Sequence, residues 1–95
     1  GTNGWISKAP MPTPREGPAA ATVGGKIYAV GGYNNGYLDK NDEYDPTVDT
    51  WATKTAMPTA RQELAAAAVG GKVYAMGGTT TSAFNKNEEY DPGVG

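Results

Sequence analysis

Ninety-five residues, 38% hydrophobic but with one Phe and two Trp, make a single small domain with little large apolar material. A chain of this size buries a modest share of its surface and has little margin if it folds alone. The absence of Cys rules out disulfides and thiolate sites and leaves the redox compartment open. The absence of His removes the commonest near-neutral acid/base and transition-metal ligand. A net charge of −2 without a basic stripe speaks against nucleic-acid binding.

The amino terminus, Gly1 to Trp5, lacks the basic and apolar regions of a signal peptide. Beyond it, four short strand-like runs are predicted in chain order: Pro18–Val23, Lys26–Gly31, about Leu38–Asp45 and Trp51–Ala56, separated by Gly, Pro, Asn and Asp. The alanines of 19–21 and 65–68 favour helix by propensity. Their short runs, Pro18 in one copy and a Gly-Gly pair after each predict hairpin strands instead. Ile27 to Val30 and Val73 to Met76 are apolar without alternation, the pattern of a strand covered on both faces where sheets stack. The longest strongly apolar run, Leu64 to Val69, is far too short to span a bilayer, so no membrane partner is expected.

Shifting the chain by 46 residues superimposes Trp5 on Trp51, Met11-Pro12-Thr13 on Met57-Pro58-Thr59, Arg15 on Arg61, and Glu43-Tyr44-Asp45-Pro46 on Glu89-Tyr90-Asp91-Pro92. Such self-similarity marks stacked units, none of which buries its apolar faces alone. The units divide the chain into an outermost strand over 1–12, a complete unit over 13–58 and three strands of a second over 59–95.

The glycine pairs of Gly24 to Tyr33 invite comparison with a phosphate loop. That loop needs GxxxxGK followed by Ser or Thr, whereas the fifth residue before Gly25 is Ala20 and Ile27 follows Lys26. Asp39, Asn41, Glu43 and Asp45 alternate somewhat as in a calcium loop, but Tyr44 and Thr50 occupy its Gly and Glu positions. No metal site and no cofactor are therefore expected. Adjacent carboxylates such as Asp42-Glu43 and Glu88-Glu89 point to opposite faces of a strand and cannot act on one bond.

An apolar strand ending in Gly31-Gly32, then Tyr44, then Trp51 seven residues later, resembles the kelch repeat; Gly77, Gly78, Tyr90 and Trp5 fill the same pattern. The resemblance implies an all-β chain of two four-stranded antiparallel blades of a β-propeller, with the alanine strand innermost and the Trp strand outermost. It assigns these Gly, Tyr and Trp residues to blade packing. Two blades leave an apolar sheet face open at each end, so completion by self-association is expected. Trp5 to Pro10 of a neighbouring copy would supply the second blade's missing strand, with the chain break in one loop. Three copies give six blades, within the family's usual range, and a tetramer of eight is next.

In kelch propellers that bind partners, the loops after the Gly pair and the residues after the Arg meet on one face. The two copies differ most there. Candidate ligand residues are Tyr33, Asn34, Asn35, Tyr37, Thr79, Thr81, Ser82, Arg15, Glu16, Arg61, Gln62 and Glu63. For the arginines, a structural bond to backbone or carboxylate competes with bidentate grip of an anion. The expected function is a non-catalytic binding or scaffold module whose partners are itself and a protein or small polar ligand. An excised, reconstructed or designed fragment without a ligand is the first alternative, and sugar mutarotase-like chemistry at Glu16 or Glu63 the second. Copper oxidases of this fold need the Cys and His that are missing here.

Overall fold

A computed structural model describes residues 4–94. Residues 1–3 of the expected amino-terminal strand and residue 95 of the second unit lie outside the described residues. Strands β1 (Ala19–Val23), β2 (Lys26–Val30), β3 (Asn41–Asp45) and β4 (Thr50–Thr53) form one antiparallel sheet in chain order. Strands β5 (Ala65–Val69), β6 (Lys72–Met76) and β7 (Asn87–Tyr90) form a second of three strands. Among the described residues no helix is long and apolar enough to cross a membrane.

Local chemistry accounts for the hairpins. Gly24 and Gly25 adopt φ values of 58° and 78° between paired Val23 and Lys26. Two successive positive φ values define the turn whose twist matches a two-residue hairpin, and glycine takes them without a Cβ clash. The alanine segments are strands, so cross-strand pairing overrides their helix propensity. The third strand starts at Asn41 rather than Leu38. Leu38 N donates to Gly32 O, Leu38 O accepts from Arg61 N, and Asp39 O accepts from Met57 N, so these residues serve the loop and the next unit. The fourth strand stops at Thr53, because only Lys54 still pairs, with Asn41 O, before Met57 turns away to Asp39.

The two sheets stack, and alternation decides which side chains meet. Ala19, Ala21 and Val23 of β1, with Tyr28 and Val30 of β2, pack against Ala66 and Ala68 of β5, Leu64, Val73, Ala75 and Tyr90. Tyr28 is 2% exposed and Val73 1%. The Tyr28 and Tyr90 rings lie 5.8 Å apart across this junction. Burial pushes the Tyr28 hydroxyl well above its ordinary pKa, and its hydrogen bond to Glu43, 2.6 Å long, adds to the rise.

Positions covered at the junction in one repeat are uncovered in the other, where no neighbour stands. Ala20 and Thr22 of β1 are exposed, as are Ala65, Ala67 and Val69 of β5, while Tyr74 and Met76 are only half covered. Gly31 marks the junction sterically: a Cβ there would lie 2.7 Å from Arg61 O and 2.8 Å from Leu64 Cδ2, at φ +72°. Its counterpart Gly77, at φ +68°, would meet nothing nearer than Phe84 O at 3.6 Å.

Among residues 4–18 there is no strand. The segment is tied to the first sheet through Ala9, whose N–H donates to Asp49 Oδ1 at 2.9 Å and whose carbonyl accepts from Trp51 Nε1 at 2.8 Å. Asp49 also accepts from the Tyr44 hydroxyl at 2.6 Å, and the Tyr44 and Trp51 rings pack 4.9 Å apart. The Tyr44 bond, then the Ala9 bond, hold the Asp49 carboxyl below its usual range.

Gly31→Ala should cost about 2–5 kcal/mol, combining left-handed backbone strain with overpacking. Gly77→Ala should cost only the strain, about 1–2 kcal/mol, in a single copy; urea unfolding of both variants at a concentration where the chain is monomeric checks the difference. Because the folded-state pKa of Asp49 is depressed, its contribution is present above the ordinary carboxylate range and lost as pH falls through the folded value. Trp51 fluorescence in a Trp5→Phe background should report that acid transition, and Asp49→Asn should abolish it.

Candidate functional site

The loop following each glycine pair begins and ends on the same backbone frame. Glu16 and Tyr33 exchange N–H···O bonds of 3.1 and 2.8 Å, and Gln62 and Thr79 exchange bonds of 3.1 and 2.9 Å. Tyr33 bridges to Tyr37 as Thr79 does to Ala83. Asn34 N donates to Gly36 O, and Thr80 N to Ser82 O. The two loops therefore share a hydrogen-bonded frame and differ in side chains and in backbone at the tip, where Asn35 and Gly36 take positive φ and Thr81 and Ser82 do not.

The first loop carries the aromatic groups. Tyr33 and Tyr37 meet edge to face, with centroids 5.3 Å apart, and Tyr33 keeps 36% exposure. The Tyr37 hydroxyl donates to Thr80 O of the second loop at 2.8 Å, locking the two loops together. Asn34 Nδ2 donates to Pro14 O at 2.7 Å, and Asn35 takes a φ of 56°, which Asn tolerates better than most residues. A shallow open groove runs between Pro14, Glu16, Tyr33, Asn34 and Asn35.

The neighbouring inner corner is built by Gly17 and Glu63. Glu63 N donates to Gly17 O at 2.7 Å, and a Cβ on Gly17 would lie 3.3 Å from Gln62 Oε1. The structure thus brings Glu16, Gln62, Glu63, Tyr33, Asn34, Tyr37 and Thr79 onto one connected rim. Asn35, Thr81, Ser82, Glu16 and Glu63 are exposed there. This rim presents amide, hydroxyl and carboxylate groups beside an aromatic edge, a surface suited to hydrogen-bonding a polar partner. No group of three or more His, Cys, Asp or Glu that could hold a metal occurs among the described residues.

Arg15 and Arg61 are placed differently from the other candidates. Both side chains are 0% exposed and turned into their own blades. Arg61 donates to Gly77 O at 3.0 Å, Ala75 O at 3.2 Å, Lys86 O at 3.4 Å and Glu88 Oε1 at 2.9 Å. Arg15 donates to Gly31 O and pairs with Asp42, which is 1% exposed and also accepts from Thr53 Oγ1. The bonds go to their own blades' carbonyls and carboxylates, so neither guanidinium faces the loop rim.

Asp42 and Glu88, the acidic partners, were not singled out as such by composition or motif. The signal was present in spacing: Arg15 to Asp42 and Arg61 to Glu88 are both 27 apart. Tyr28–Glu43 and Tyr74–Glu89 likewise recur 15 apart, with bonds of 2.6 and 2.8 Å. The adjacent carboxylates do divide, Asp42 bonding the arginine and Glu43 the tyrosine.

Arg61→Met would strand Glu88 and the carbonyls of Ala75 and Gly77, and should destabilise the chain by about 3–5 kcal/mol in urea unfolding. Arg61→Lys should recover only part of this, because one ammonium cannot reproduce a planar fork that reaches several acceptors.

No curated protein matches the chain. The Kelch motif matches residues 14–58 and again residues 60–94. These matches span the glycine pairs of both repeats, both buried arginines and both tyrosine–glutamate pairs, and the chain belongs to the kelch-repeat family.

Proposed function

We propose that this chain is a non-catalytic binding and scaffold module that works as a closed ring of copies, each contributing two blades. One observation carries the reading. The junction between the two sheets is made by one type of face from each repeat, and the same chain leaves one face of each type open. Ala21, Tyr28, Val30 and Gly31 of the first sheet are buried by the second; their counterparts Ala67, Tyr74, Met76 and Gly77 are exposed or half covered. Ala66, Ala68 and Leu64 are covered by the first sheet, while their counterparts Ala20, Thr22 and Pro18 are not. A second copy presents the complementary face to each.

A head-to-tail contact of this kind closes into a ring when its rotation closes. With two blades per copy, three copies give six blades, within the range of four to eight found in propellers. The ring repeats the rim of Tyr33, Asn34, Asn35, Tyr37, Thr79, Thr81, Ser82, Glu16, Gln62 and Glu63 once per copy. A repeated rim favours a protein or polar ligand that can engage several copies, since linked contacts raise avidity.

Native mass spectrometry at micromolar concentration should give three times the 9.8 kDa of the chain. A four-copy mass would keep the ring with eight blades, and a monomer would overturn it.

A further inference from the structure

Along the outer side of β7, the edge strand of the second sheet, runs a groove lined by Thr55, Glu89, Tyr90, Asp91 and Val94. We infer that this groove is the seat of Trp5 from a second copy, whose residues Gly4 to Lys8 pair with β7 in one defined register. The inference rests on the ring reading above and names the residues that join its copies.

The first sheet supplies the template. There β4 completes the sheet by pairing Tyr44 with Trp51, Glu43 with Ala52 and Asp42 with Thr53. The indole of Trp51 covers Tyr44, and its N–H donates to Ala9 O. Subtracting or adding the repeat offset of 46 residues converts each partner: Trp51 becomes Trp5, Tyr44 becomes Tyr90, and Ala9 becomes Thr55. Tyr90 and Thr55 are two of the groove's own walls.

The remaining contacts convert with the same chemistry intact. Thr53 Oγ1 donates to Asp42 at 3.0 Å; the counterparts are the Ser7 hydroxyl and the Glu88 carboxylate. Lys54 lies 3.8 Å from Glu43; the counterparts are Lys8 and Glu89. Thr55 O accepts from Asn41 Nδ2 at 3.1 Å, and a carbonyl has a second lone pair for an indole N–H. On the donor side, Trp5 is 84% exposed and Ile6 68%. The donated strand comes from another copy because each chain's own segment is bonded through Ala9 to its first sheet.

The chain has no Cys, so paired cysteines report register cleanly. Directly opposed residues of an antiparallel pair bring their Cβ atoms within reach of a disulfide. Ile6→Cys/Glu89→Cys should form covalent multimers under mild oxidation on a non-reducing gel. Ser7→Cys/Glu89→Cys, with its side chains on opposite faces, should not. Trp5→Ala should lower the native mass to that of a monomer and remove from the far-ultraviolet circular dichroism no more than the strand signal of the donated segment. A ring mass with no multimers from the first pair, or with a disulfide inside one chain, would overturn the strand donation and leave the ring standing. A monomeric unsubstituted chain would overturn both.

Discussion

A blade of this protein is apolar on both faces, and that constraint organises everything else. Alternation along β1 sends Ala19, Ala21 and Val23 one way and Ala20 and Thr22 the other; along β5 the same rule separates Ala66 and Ala68 from Ala65, Ala67 and Val69. Small side chains on β1 and β5 let two sheets approach closely. Gly31 sets the limit of that approach, since the space a Cβ would need is taken by Arg61 O and Leu64. Burial of one face thus requires a second sheet, and the second sheet repeats the requirement.

Inside each blade the strands are held by charge as well as by the backbone ladder. Arg15 and Arg61 lie beneath the glycine pairs, bonding the carbonyls of Gly31 and Gly77, and each meets a carboxylate on the third strand. A buried guanidinium stripped of its carboxylate is an uncompensated charge, so breaking the pair is costly even where its net stabilisation is small. The tyrosine–glutamate pairs use the other carboxylate of the same dipeptide. One two-residue acidic step therefore serves both sides of a strand.

The loop rim follows a different logic. Its hydrogen-bonded frame recurs in both repeats, fixed by the Glu16–Tyr33 and Gln62–Thr79 exchanges. Its side chains are free to differ, and they do: Tyr33, Asn34, Asn35 and Tyr37 in one copy face Thr79 to Ala83 in the other. A rigid frame with variable side chains is where binding specificity accumulates.

The sequence by itself determined the repeat, both Gly-Gly hairpins and the approximate places of the seven observed strands, because turn φ values and short strand periods are local properties carried by neighbouring residues; the further strand expected over 1–12 is not formed among residues 4–12. Only the tertiary structure decided which way Arg15 and Arg61 turn, since an arginine at that position reaches either the rim or the blade interior. These acceptors lie 14 to 27 residues away, on or just beyond other strands. The tertiary structure likewise decided which face of each blade is covered. Alternation divides a strand into two sets, but nothing within the strand says which set meets a neighbour; Leu64, Val73 and Tyr28 settle that by packing across the sheet junction.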